Sequence, residues 1–198
     1  MILTLFELMY PDFIWRIPEK EKTIYLTFDD GPIPEVTPWV LEQLEKYDAK
    51  ATFFCVGENI TKHPEVFSQI LKHGHSVGNH TYNHLNGWKT QQEEYFANFE
   101  DFEKQQTTVL FRPPYGRIKK KQAIEILKTH KIIMWSVLTK DYSSSISEEK
   151  CLKNAIKNTS SGSIVLFHDS LKANRNLYYA LPRFLEHFSK QGYTFEKL

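Results

Sequence analysis

The chain has 198 residues, the size of one domain, and its 25 Lys+Arg against 24 Asp+Glu leave a formal charge of +1. That balance excludes a strongly basic nucleic-acid binder and an acidic disordered chain, while 41% apolar and 14% aromatic residues suffice for a core. Two cysteines, Cys55 and Cys151, are too few for a disulfide framework, and eight glycines and nine prolines too few for a collagen-like or linker protein.

The amino end is apolar but carries Glu7, has no positive n-region and shows no small-residue cleavage site. It is expected to belong to the mature protein, with the cytoplasm favoured over export. No stretch approaches the roughly 18 apolar residues of a spanning helix, so no membrane span is expected. Residues 23–28 (TIYLTF) read as a strand that ends at the turn Asp29-Asp30-Gly31-Pro32. Thr37-Pro38 offers an N-cap and a first-turn proline, with Val40, Leu41, Leu44 and Tyr47 at helical spacing behind it. Residues 51–56 form a short buried strand closed by Gly57, with Cys55 as a core residue.

Residues 64–73 predict a helix with Val66, Ile70 and Leu71 inward and Gly74 as its stop. Ser76-Val77 is a weak strand. Residues 91–106 predict a helix with Tyr95, Phe96, Phe99 and Phe102 on one face. Residues 109–111 are a strand ended by Arg112-Pro113-Pro114-Tyr115-Gly116, residues 119–129 a helix, and residues 131–137 one strand. Ser145 and Glu148 have capping-box spacing and open a helix that buries Leu152, Ala155 and Ile156. Residues 163–167 are a strand, residues 174–190 a helix despite Pro182, and residues 193–196 a last strand. About seven strands alternating with six helices imply a mostly parallel sheet with helices outside, either an open sheet or a closed barrel.

The reactive residues fall just past the strands: Asp29 and Asp30, His80 and His84, Arg112 and Tyr115, Asp141, and His168. In parallel α/β folds the carboxyl ends of the strands share one side, so these residues can converge, and five contributing strands favour a barrel mouth. Each has a plainer reading. Asp29-Asp30 before Gly-Pro is also a turn former, and Arg112 on a proline turn also fits a surface. His168 after an apolar run also fits a core histidine. His80 and His84 lie four apart; in a helical turn they would share a face and bind one metal, with Asp30 as a third ligand. Two imidazoles and one carboxylate also fit non-haem iron, and hence an oxygenase. The remaining histidines (63, 73, 75, 130 and 187) receive no role. Arg117 with Lys119, Lys120 and Lys121 reads as a solvated loop and helix start, with attraction to an anionic polymer as the alternative.

Taken together, Thr27-Phe-Asp-Asp-Gly-Pro32, His80-Thr-Tyr-Asn-His84, Arg112-Pro-Pro-Tyr115, Asp141-Tyr142 and Leu166-Phe-His168 resemble, in order, the motifs of the polysaccharide deacetylases. This is carbohydrate esterase family four, the NodB-homology domain. The resemblance runs from about residue 23 to the carboxyl end. It implies an α/β fold, a distorted (β/α) barrel of about seven parallel strands, with residues 23–198 as the catalytic domain and 1–22 as an extension packed on it. It implies a hydrolase that removes acetyl groups from N-acetylated glycans of the chitooligosaccharide or peptidoglycan type by attack of metal-bound water. O-acetyl esterases and a non-catalytic glycan-binding protein are the competing readings. One divalent metal is implied, zinc before cobalt or nickel, with Asp30, His80 and His84 as ligands.

By the same resemblance Asp29 is the base, Arg112 orients it, His168 is the acid and Asp141 its partner. The Tyr115 N–H holds the oxyanion, and Pro114, Tyr142 and Leu166 contact the carbohydrate. The partner implied is a carbohydrate alone, with no nucleic acid, and a monomer is favoured. The fourth motif departs from the common Asp-x-x-Asp-Trp: Leu138 stands for the first Asp and Tyr142 for Trp. That change falls on the pocket wall.

Overall fold

The computed structural model describes residues 8–18 and 21–198; the reading of the first seven residues lies outside them. The strands are β1 (Thr23–Asp29), β2 (Thr52–Cys55), β3 (Ser76–Asn79), β4 (Leu110–Phe111), β5 (Lys131–Ile132), β6 (Val137–Leu138), β7 (Ile164–His168) and β8 (Thr194–Glu196). The helices are α1 (Thr37–Glu45), α2 (Gly57–Lys62), α3 (Pro64–Lys72), α4 (Gln92–Glu103), α5 (Lys120–Ile126), α6 (Glu148–Lys157) and α7 (Asn174–Ser189). All strand pairs are parallel, in the order β5-β4-β3-β2-β1-β7-β6, with β8 beside the first half of β1.

The sheet curls nearly into a barrel. β5 and β6 are its opposite edges, yet only residues 133–136 join them. Such a link spans no more than about 18 Å at full extension. The segment before β1 lies in this gap: Ile14 bridges Ile133, and Arg16 bridges Ser163.

Strand alternation sorts the core. Ile24, Leu26, Phe28, Phe53, Val165 and Phe167 point outward and pack under α1, α6 and α7, with Phe184, Leu181 and Leu177 above them. Phe54, Leu110, Ile133 and Ile164 form a smaller inner cluster, and α4 and α5 cover β4 and β5 through Tyr95, Phe99, Phe111 and Ile126. The register sets what stands at the barrel mouth. Asp29 is level with His168 across β1 and β7, and Asn79 with Phe111 across β3 and β4, so His80 and Arg112 follow side by side.

Several local expectations change. The stretch 131–137 is two strands, because the carbonyls of Ile133 and Met134 accept hydrogen bonds from the Arg112 guanidinium. Thr37 is not a cap; its hydroxyl donates to Asp169 at 2.6 Å. Ser147, not Ser145, caps α6, accepting from the Lys150 N–H. On α6 Cys151 and Ala155 are buried, whereas Leu152 and Ile156 are half-buried. Leu71 is exposed, one position off the inward face of α3. α2 was not anticipated; Gly57 starts it rather than merely closing β2.

Candidate active site

Asp30, His80 and His84 each offer a ligand atom, and these atoms lie within 4.8 Å of one another. His84 Nε2 is 3.2 Å from Asp30 Oδ1, and His80 Nε2 is 3.8 Å from it. The two histidines do not share a helical turn. They belong to a loop in which Thr81 and His84 have positive φ (62° and 57°), and Asp30 does too (84°). Non-glycine residues in that region are rare and collect at functional sites.

The loop is held by backbone bonds: the N–H groups of Gly57 and Glu58, at the start of α2, donate to the carbonyls of Thr81 and Tyr82. Gly57 has to be glycine, because a Cβ there would come within 2.6 Å of the Tyr82 ring. Asp30 is steadied from both sides. Asn59 donates to its carbonyl, and the next N–H, of Gly31, donates to the buried Asp169 carboxyl at 3.1 Å.

The donor set fits a divalent metal. His80 Nδ1 lies 2.7 Å from the Arg112 carbonyl, which can only accept, so the ring proton sits on Nδ1 and the Nε2 lone pair faces the cavity. Burial lowers the His80 pKa to about 4, with Asp29 and Asp30 pulling it up and His84 pushing it down, so the ring is neutral near pH 7. Burial pushes Asp30 up, but its hydrogen bond to His84 and the charges of the surrounding histidines hold it below the usual carboxylate range. Neutral imidazole and ionised carboxylate are the forms that ligate.

Two charge pairs complete the site. The fully buried Arg112 donates from one terminal nitrogen to Asp29 Oδ1 at 2.7 Å and to Thr27 Oγ1 at 2.8 Å, and its plane lies 4.1 Å over the Phe54 ring. Burial lowers the Arg112 pKa while Asp29 opposes the shift. His168 Nδ1 is 2.8 Å from Asp141 Oδ1, and the His168 N–H donates to Asp141 Oδ2 at 2.7 Å. Burial disfavours charge on His168, but the Asp141 carboxylate outweighs it and raises the pKa to about 9.

These groups face a cavity of about 480 Å³ lined by Asp29, Asp30, His80, His84, Tyr115, Tyr142, Leu166 and His168. Arg112 and Asp141 stand behind the wall, fully buried. Pro114 is not on the wall. It is buried in the turn Pro114–Gly116, which places Tyr115 outward at φ 61° with its ring 4.6 Å from His84.

Trp135, Leu138, Gly116, Arg117 and Lys172 also line the cavity. Leu138 stands on the wall, where the departure of the fourth motif puts it; Arg117 is on the wall as well as in the loop expected of it, and Lys172 follows the last motif by four residues, which no motif signals. A Cβ on Gly116 would meet Trp135 at 2.7 Å, so this glycine admits the indole to the wall.

The profile of the polysaccharide deacetylase family matches residues 16–135. The chain belongs to this family. It is 38% identical over 189 residues to a peptidoglycan-N-acetylglucosamine deacetylase of Bacillus cereus, a match covering 91% of this chain and 88% of that protein. A peptidoglycan-N-acetylglucosamine deacetylase of Listeria monocytogenes is longer: the match, 37% identical over 194 residues, covers 91% of this chain and 40% of that protein. The crystal structure of a peptidoglycan N-acetylglucosamine deacetylase bound to 4-naphthalen-1-yl-N-oxidanyl-benzamide superposes with a TM-score of 0.90 at 30% identity, over 99% of this chain and 95% of that one. A pseudoenzyme of the family from Bacillus anthracis superposes with a TM-score of 0.83 at 26% identity, over 95% of this chain and 68% of that one. The family's motifs thus form one distorted barrel mouth here, a hydrolase architecture with an Asp-His-His metal-binding set.

Proposed function

We propose that the protein removes the N-acetyl group from N-acetylglucosamine units of a peptidoglycan-type glycan. The observation that carries this reading is the arrangement of the cavity: the Asp30, His80 and His84 donors share it with the Asp29–Arg112 and His168–Asp141 pairs. The names of its relatives support the substrate class. A divalent ion held by Asp30, His80 and His84, with zinc as the proposed occupant, supplies a Lewis acid for the acetyl carbonyl and lowers the pKa of water to about 7.

The chain's own groups move the protons. Asp29 accepts a proton from the attacking water, and Arg112 fixes the direction in which its carboxylate points. The Tyr115 N–H donates to the oxygen that becomes negative as the carbonyl carbon turns tetrahedral; losing one such donor typically costs about 10²–10³ in rate. The amine leaves as the C–N bond breaks, taking a proton from His168. An imidazolium at neutral pH suits that task, and Asp141 maintains it. The products are acetate and a free amino sugar. Leu138, Leu166 and Tyr142 form the apolar side of the cavity and would flank the acetyl methyl.

Zinc-loaded protein incubated with N-acetylchitooligosaccharides and peptidoglycan fragments is expected to release acetate, and Asp29→Asn to lower the rate about 10²–10⁴-fold. Removing the metal with a chelator should stop release and adding zinc restore it. Release that survives the chelator, or no release from any N-acetylated glycan, overturns the proposal.

A further inference from the structure

A second depression, of about 320 Å³, lies beside the metal cavity and shares Leu138 with it. One wall is β6, an edge strand paired only with β7. The other is α6, which presents Lys150, Lys153 and Lys157 at one-turn and two-turn spacing, and Lys140 joins them from the turn after β6. All four lysines are exposed, and none pairs with a carboxylate among the described residues. Of the acids that open α6, Glu148 lies 3.9 Å from Arg175, while Glu149, hydrogen-bonded to Ser147, stays charged one turn before Lys153 but lines the neighbouring depression and not this one. Four lysines without an ion pair line the concavity and no carboxylate does, which focuses a positive potential there.

We propose that this groove is a second binding site, which holds carboxylates carried by the glycan strand whose acetamide occupies the metal cavity. The proposal rests on the deacetylase reading above. A polymer with one sugar in the cavity has to continue beyond it, and the groove adjoins the cavity through the shared wall residue Leu138. Peptidoglycan carries carboxylates on the peptides attached to its sugars, whereas chitooligosaccharides carry none. Lysine ammonium groups attract carboxylates as point charges, without the fixed geometry of arginine. Lysines at an open sheet edge also deter pairing with another sheet, but that role is indifferent to the charge of the substrate.

The test is the triple variant Lys150→Gln, Lys153→Gln, Lys157→Gln, with Lys140 retained because it adjoins Asp141. The kcat/KM for peptidoglycan fragments with free peptide carboxylates is divided by that for neutral N-acetylchitooligosaccharides. This ratio is expected to fall about tenfold in the variant, through KM rather than kcat. The matching Lys→Arg triple variant should keep the ratio, and about 0.5 M salt should erase the preference in the wild type. An unchanged ratio, or an equal loss on both substrates, overturns the proposal.

If the wild type cleaves neither substrate, the deacetylase reading fails separately, and equilibrium binding of the same carboxylate-bearing fragments decides the groove. Tighter binding by the wild type than by the variant sustains it; equal binding ends it. A poly(glycerol phosphate) chain that occupies the groove while those fragments do not would overturn the assignment to carboxylates.

Discussion

Arg112 donates to Asp29, to Thr27 and to the carbonyls of Ile133 and Met134, while its own carbonyl accepts from His80. Losing one partner of a buried ion pair strands the other charge and costs about 3–5 kcal/mol. Arg112→Ala is therefore expected to unfold at lower denaturant by roughly that amount. Arg112→Lys keeps the charge but cannot serve two carbonyls and Asp29 together, so it should recover little of the stability and little activity; denaturation midpoints and kcat/KM check both.

The His168–Asp141 pair makes a prediction about pH. Asp141 holds the imidazolium proton up to a pKa of about 9, against burial. Activity that needs charged His168 should fall as pH rises through its pKa. In Asp141→Asn the alkaline limb of the rate profile should move to lower pH, because the charge that opposed burial is gone. A limb that stays in place would assign it to another group.

At the scale of elements, β1, β4 and β7 were legible in the sequence because each ends in an abrupt change from apolar to charged or turn-forming residues, as at Phe28-Asp29, Phe111-Arg112 and Phe167-His168, whereas β3 closes on Gly78-Asn79 and β6 is continuous in pattern with β5. The alternation of strands with helices also put Asp29 and His168 at one end of a parallel sheet, and the register sets them level there. Two features next to the candidate metal site were also not legible. α2 has six residues and too short an apolar period to be seen, and its contribution is two backbone N–H groups, to which side-chain patterning is blind. The His80–His84 loop has the spacing of a helical turn but a different conformation, set by α2 and by Asn79, whose side-chain oxygen accepts from the Thr81 N–H.

Gly57→Ala tests that arrangement. A methyl group pressed on Tyr82 has to displace the loop that carries both imidazoles. Zinc affinity, measured by competition with a chelating dye, should fall at least about tenfold, since misplaced supports of metal ligands typically cost 10–100-fold.

The whole molecule binds protons differently when folded, and the metal-free protein should show it. Burial first, with Lys50, His73 and Lys197 adding to it, lowers His75 to about 4, and burial lowers His80 to about 4 as well; both bind fewer protons folded than unfolded. They add stability as pH rises from about 4 to 6.5. His168, raised to about 9, and Asp169, raised to about 8 chiefly by burial, bind more protons folded than unfolded. Asp169 therefore lowers stability as pH rises from about 4 to 8, and His168 does so from about 6.5 to 9. The two histidines outweigh Asp169 on the acid side, and no shift among the described residues offsets the loss on the alkaline side. The unfolding temperature of chelator-treated protein should thus be highest near pH 6.5 and lower at both pH 4.5 and pH 9. A steady rise through pH 9 contradicts these assignments.

The short segment that fills the gap in the curled sheet has a reach beyond its own contacts. Ile14 donates to the carbonyl of Ile132 and accepts from the N–H of Met134, the same stretch whose carbonyls Arg112 gathers. Arg112 in turn steadies Asp29 and His80. The amino-terminal segment and His80, a proposed metal ligand, are thereby links in a single chain of custody, and damage at one end should be felt at the other. A protein cut back to residue 21 keeps every proposed ligand and proton-transfer group, yet it should hold zinc more loosely in a chelator competition, so that a proteolytic trim outside the cavity would act as a brake on the chemistry proposed inside it.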